Sequence, residues 1–144
     1  IDNLSAEERR QWQDKNSPIR MGMDQIKAVQ QSANAAVNAA LSKLGAPYSW
    51  GAAGPNEFDC SGLVYWSYRQ MGKTIPRTSG AQMAGGTPVS MNDLQPGDVI
   101  GYYPGATHVG LYIGNGKVVH AADYGIPVQV VGVNSMPVYG ARRY

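Results

Sequence analysis

Three side chains in this sequence have the chemistry for nucleophilic catalysis near neutral pH: the only cysteine, Cys60, and the only two histidines, His108 and His120. Cys60 stands in EFDCSGLVYWSYRQM, directly after Asp59 and before a Ser-Gly pair. Asp59 has the character of a helix N-cap, which predicts that Cys60 opens the following helix. Unpaired N–H groups and the positive end of the helix dipole favour a thiolate there, and the thiolate is the nucleophilic form. A lone cysteine is also a residue type commonly buried for packing alone, so position by itself does not decide.

A nucleophilic thiol needs a base, and the base needs a partner that orients it. In THVGLYI, Val109, Leu111 and Ile113 alternate with His108, Gly110 and Tyr112, so His108 points away from the more apolar face of a strand. The connection IGNGK decides whether His120 can join it. A two-residue type I′ loop at Asn115-Gly116 pairs Leu111 with His120 and puts the histidines on opposite faces. A three-residue loop, Gly114-Asn115-Gly116, with Gly116 left-handed in a bulge, pairs Gly110 with His120 and His108 with Ala122. The histidines then become diagonal neighbours about 7 Å apart at Cα, across the gap left by Gly110. A catalytic role therefore predicts the three-residue loop.

Two other uses of these residues compete with catalysis. One cysteine and two histidines can hold zinc, but the sequence has no CxxC, HExxH or HxxxH spacing. The histidines could also be satisfied separately on a half-exposed sheet.

The elements that must position these groups are legible in the periodicity. From Asp24 to Leu44, apolar residues from Ile26 to Leu44 recur at spacings of three and four, predicting an amphipathic helix that ends at Gly45. PYSWGAAGPN reads as a loop, and LVYWSYRQM returns to helical character. DVIGYY, THVGLYI, GKVVHAA, VQVVGV and VYGARRY then read as short strands, at least four of them. Helices followed by consecutive strands predict an α+β domain with an antiparallel sheet. Asp98, in QPGDV, reads as a turn residue. Residues 1–22 differ in composition: charged and amide-rich, with Ser5 and Glu8 at capping-box spacing and Pro18 as a stop. They are expected to be an N-terminal extension, either a linker or a cover anchored by Trp12, preceding a domain over 23–144.

Composition limits the classes of function. Twelve Lys and Arg against ten Asp and Glu are scattered without a basic run, which argues against nucleic acid as a partner. No stretch approaches the roughly 20 apolar residues of a membrane span. One cysteine excludes an internal disulfide.

FDCSGLVYWSY, IPRTSGAQM, LQPGDVIGYY and THVGLYIGNGKVVHA, in that order, resemble the NlpC/P60 cysteine peptidases, bacterial enzymes that cut peptidoglycan stem peptides. The resemblance covers about residues 24–144. It implies a papain-like fold, with a helical half carrying the cysteine packed on an antiparallel sheet carrying the histidines. It implies Cys60 as nucleophile, His108 as base and His120 as its orienting partner. Tyr48 matches a tyrosine that helps the oxyanion, while Asp59 and Ser61 match positions that contact the amine end of the peptide. Arg77 is expected either to meet a substrate carboxylate or to be an exposed loop arginine. The implied protein is a secreted, monomeric enzyme of the cell wall or periplasmic space, needing no cofactor or metal. Its implied activity is DL-endopeptidase cleavage between γ-D-glutamyl and meso-diaminopimelate. A catalytically silent wall-binding module, and an amidase or acyltransferase on the same fold, are the alternatives.

Overall fold

The structure, a computed structural model, describes residues 34–144. The expected extension over 1–22 and the first part of the expected long helix, residues 24–33, lie outside the described residues. Among the described residues, three helices, α1 (Ala35–Leu41), α2 (Cys60–Gln70) and α3 (Ser79–Ala84), precede six strands. The strands are β1 (Thr87–Val89), β2 (Val99–Tyr102), β3 (His108–Gly114), β4 (Lys117–His120), β5 (Gln129–Gly132) and β6 (Val138–Arg143). They form one antiparallel sheet in the order β1-β6-β2-β3-β4-β5. The α+β architecture expected from the sequence is the one found.

Both faces of the sheet are covered. Val109, Leu111, Ile113 and Val119 face the helices and pack with Ala36, Val37, Ala40 and Leu41 of α1 and Leu63 and Val64 of α2. On the opposite face, Ile100, Tyr102, Val118 and Val131 are closed over by Ile126, Val133 and Met136 from the loops. Period-two alternation within β3 and β4 thus divides two cores rather than a core from solvent.

Three details correct the sequence reading. The first helix stops at Leu41, not Leu44: Lys43 and Leu44 bond three residues back, and the Gly45 N–H already donates to Val128 O at 2.9 Å. α3 and the short edge strand β1 were not expected. The β3–β4 loop has the two residues Asn115 and Gly116, both at positive φ (54° and 71°) as a type I′ turn requires, and not three. The register that the longer loop was expected to supply is present all the same. Gly114 pairs with Lys117, a bulge follows between Tyr112 and Gly114, and the ladder resumes as Tyr112 with Val118 and Leu111 with Val119. Continued by one residue, it sets Gly110 opposite His120. A Cβ added at Gly110 would lie 3.4 Å from His120 Cβ.

α2 is anchored at its first turn. The Asp59 carboxylate accepts the Gly62 N–H at 2.6 Å, and the Asp59 N–H donates to Ala52 O at 2.9 Å, so the helix start lies against the 52 backbone. A Cβ at Gly62 would come within 2.0 Å of Ala52 O, a clash between two backbone-fixed atoms. Gly62→Ala is therefore expected to cost about 3 kcal/mol of stability in urea unfolding, since no side-chain rotation relieves it. A loss under about 1 kcal/mol would mean that this packing is looser than it looks. Directly before β2, Asp98 holds its turn as expected, accepting the Gln95 N–H at 2.8 Å, and it receives Arg143 Nε and Nη2 at 2.8 and 2.9 Å.

Candidate active site

Cys60 is the first residue of α2, fully buried, behind the Asp59 cap. The Asp59 carboxylate is the hub of a charge-assisted network. Oδ1 accepts from Gly62 N–H, from Arg77 Nη1 at 3.1 Å and from the Ser61 hydroxyl at 3.3 Å. Oδ2 accepts from the Gly51 N–H at 2.9 Å and from Arg77 Nη2 at 3.0 Å. Burial alone would raise the Asp59 pKa, but the hydrogen bonds from Arg77 and Gly62 hold it below the usual carboxylate value. Arg77 Nη1 also donates to Ser61 Oγ at 2.8 Å, so its guanidinium is committed to both residues that flank the cysteine. It is not a detached loop arginine. Gln82, which no motif singled out, is buried in α3 and donates to Ser61 O at 3.1 Å and Pro76 O at 2.9 Å, holding the Arg77 loop against α2.

Tyr48 is buried, and its ring meets that of Tyr124 edge-on at 4.9 Å. Burial first, then the neighbouring Cys60, Asp59 and Asp123, push its phenol pKa well up. Tyr48 therefore keeps its proton across the working pH range and stays a hydrogen-bond donor. The Tyr124 hydroxyl accepts the Trp50 N–H at 2.9 Å, and both of these aromatic rings are exposed beside the buried Tyr48.

On the sheet, His108 Nε2 and His120 Nδ1 are 2.7 Å apart, with ring planes crossed at 70°. The bulge in β3 and the missing side chain at Gly110 permit this contact. Tyr102, paired with His108 across β2–β3, flanks the ring at 6.0 Å and is fixed by a hydrogen bond from its hydroxyl to Val133 O. Both imidazoles are fully buried; burial lowers the pKa of His108 to about 3 and, with His108 as neighbour, lowers that of His120 well below its usual value. Two neutral rings share one hydrogen, so one nitrogen donates and the other accepts. His108 Nδ1 has no hydrogen-bond partner among the described residues.

The buried pair makes stability depend on pH. An unfolded chain takes up a proton on each histidine near 6.5, while folded His108 does so only near 3. Between these values the unfolded state binds more protons, so stability falls as pH drops from 6.5, by up to about 1.4 kcal/mol per pH unit for each histidine. Urea midpoints at pH 7.0, 6.0 and 5.0 should decline for the wild type and stay nearly level for a His108→Asn, His120→Asn double variant. Equal slopes for the two proteins would contradict neutral burial.

The sequence motifs thus assemble into two groups: Tyr48, Asp59, Cys60, Ser61 and Arg77 around the start of α2, and His108 with His120 on the sheet. Cys60 lies in the helix-side core with Val109, while His108, the residue before Val109, opens β3 with its ring beside Tyr102. Among the described residues, no three His, Cys, Asp or Glu side chains are grouped to hold a metal ion.

A cysteine opening a helix that packs on an antiparallel sheet bearing histidines defines a papain-like α+β domain. The model of the NlpC/P60 family matches residues 45–139, and the chain belongs to that family. It is 54% identical over 110 residues to a probable endopeptidase of Corynebacterium glutamicum, an alignment covering 76% of this chain and 53% of the relative. This chain therefore spans about half the length of that protein. Among solved structures it resembles NlpC2 from Trichomonas vaginalis, at 36% identity and a TM-score of 0.72, covering 81% of this chain and 49% of that one. It also resembles the NlpC/P60 domain of the peptidoglycan hydrolase SagA, at 30% identity and a TM-score of 0.70, covering 76% of this chain and 97% of that one.

Proposed function

We propose that the domain is a cysteine peptidase of peptidoglycan stem peptides, in which Cys60 is the nucleophile, His108 the base and His120 its orienting partner. The observation that carries this reading is the 2.7 Å contact between His108 Nε2 and His120 Nδ1, which occupies one face of His108 and leaves Nδ1 as its proton acceptor. For Nδ1 to accept, Nε2 must carry the hydrogen and donate it to His120.

The steps follow. His108 Nδ1 takes the thiol proton, and Cys60 Sγ attacks the scissile carbonyl. The backbone N–H of Cys60 at the helix start and the protonated Tyr48 hydroxyl supply donors for the oxyanion. As the tetrahedral intermediate collapses, the proton on His108 Nδ1 passes to the leaving amine and a thioester remains on Cys60. Water, deprotonated by the same nitrogen, hydrolyses it. The Asp59 carboxylate, held by Arg77, and the Ser61 hydroxyl form a polar, charge-balanced patch beside the nucleophile, which we assign to the amine end of the peptide. Arg77 acts by fixing that patch, because its guanidinium is already engaged.

The bond best suited to this reading joins the γ-carboxyl of D-glutamate to meso-diaminopimelate, which places the enzyme outside the cell membrane, at the wall. Purified diaminopimelate-type peptidoglycan, digested and analysed by mass, tests it. A DL-endopeptidase releases fragments with a new γ-D-glutamyl carboxyl and a new diaminopimelate amine. An amidase would release whole stem peptides, an acyltransferase would exchange peptide ends, and a silent binding module would sediment with the wall and release nothing; any of these three results would overturn the proposal.

A further inference from the structure

Three consecutive backbone N–H groups fix the loop that carries Tyr48. The Ser49 N–H donates to Phe58 O at 3.0 Å and the Gly51 N–H to Asp59 Oδ2 at 2.9 Å, which ties the loop to the segment leading into Cys60. The N–H between them, of Trp50, donates instead to the hydroxyl of Tyr124 at 2.9 Å, in the loop between β4 and β5 that follows His120. Tyr124 is itself well held. Buried Asp123 accepts the Tyr124 N–H on Oδ1 at 2.7 Å, and Asp123 O accepts the Ile126 N–H at 3.0 Å, closing a turn in which Gly125 takes φ 80°. Its ring meets the buried ring of Tyr48 edge-on at 4.9 Å. Yet the side chain is 55% exposed. A residue fixed at its N–H, its ring and its hydroxyl but left half in water adds little apolar burial, so packing alone does not account for the arrangement.

We infer that Tyr124 is a positioning residue for the oxyanion donor: it clamps the Tyr48 loop of the helical half onto the sheet loop that follows His120. The inference rests on the reading of Cys60 as nucleophile and Tyr48 as oxyanion donor. The Cys60 N–H is fixed by α2, whereas the Tyr48 hydroxyl would approach the same oxygen from a loop rich in Pro and Gly. Two donors on separate segments serve one oxyanion only if their spacing is held in advance. Tyr124 supplies two restraints from the sheet side. The bond from the Trp50 N–H holds the backbone two residues beyond Tyr48, and the edge-on contact holds the Tyr48 ring. Tyr124 thus acts through Tyr48 and takes no proton in the reaction.

Tyr124→Phe tests this, since it keeps the ring and removes the acceptor for the Trp50 N–H. NMR at pH 7 should show the Trp50 amide and the Tyr48 ring signals displaced in Tyr124→Phe, while the Gly62 amide, bonded to Asp59, stays in place. With a muropeptide as substrate, kcat should fall roughly tenfold at unchanged KM, because the oxyanion donors act in the transition state. Thermal stability should hold, since the half-exposed ring is retained. In a Tyr48→Phe background the same change should lower kcat no further. An unchanged kcat, a rise in KM alone, or the full loss repeated in Tyr48→Phe would overturn the inference. If the protein cleaves no wall peptide at all, the Tyr48 ring signals decide: displaced signals uphold the clamp while the functional reading falls, and unmoved signals overturn the clamp whatever the activity.

Discussion

Cys60→Ala is expected to abolish release of peptidoglycan fragments, by a factor of about 10⁴ or more, while leaving the fold in place. The size follows from the role: without a nucleophile, neither the oxyanion donors nor the base has an acyl transfer to assist. The fold survives because α2 is held by the Asp59 cap, the Gly62 contact and the Leu63 and Val64 face, none of which uses the sulfur. Losing one buried sulfur should cost about 1 kcal/mol, within the range for small core deletions. The variant should still sediment with the wall, because Asp59, Ser61, Arg77 and Tyr48 are intact. Fragment release within tenfold of wild type would remove Cys60 from the chemistry altogether.

The second large effect separates the two histidines. His108→Asn should lower kcat about 10³-fold, since it removes the group that both accepts the thiol proton and returns it to the leaving amine. His120→Asn should lower kcat roughly 10- to 100-fold, since His120 acts by orienting a ring that remains present. Both variants remove a buried imidazole that disfavours acid pH, so both should fold at pH 7 and below. Steady-state kinetics on a defined muropeptide, with Tm measured alongside, makes the comparison. Equal losses for the two variants would contradict the division of roles, and a larger loss for His120→Asn would reverse it.

The parts of this site that the sequence makes legible are those fixed by local rules. Asp59 before Cys60 reads as a cap because a short carboxylate followed by a helical run has few other uses, and the cap is there. The strands are legible from alternation, although β3 and β4 bury both sets of residues and the pattern marks two cores. The shared face of His108 and His120 is also legible, but by another route than local turn rules provide. Asn115-Gly116 does form the two-residue turn that its residues favour, and a bulge then shifts the ladder by one residue. Turn chemistry specifies a turn and not the bulge behind it, so it gives the right loop length with the wrong register.

What the sequence hides depends on pairing between distant segments. Arg77 lies 18 residues from Asp59, and its commitment to that carboxylate comes from the packing of the α2–α3 connection. Tyr124 has no motif around it; only the turn after β4 brings its hydroxyl to the Trp50 N–H. β1 is a three-residue edge strand containing Pro88, too short and too poor in strand residues to be seen before β6 pairs with it. α3, with six residues under a Thr78 cap, is too short for periodicity to mark.

The central claim is covalent catalysis at Cys60, and trapping the intermediate tests it most directly. The protein should be mixed with a muropeptide, quenched in acid within the first turnover, and digested for peptide mapping by mass spectrometry. Expected is an acyl thioester on the peptide containing Cys60, ending at γ-D-glutamate, which forms faster than it decays and accumulates further in His120→Asn if deacylation is slowed more than acylation. Hydrolysis of the muropeptide with no adduct at Cys60 under any quench time, or with an adduct on another residue, would contradict it.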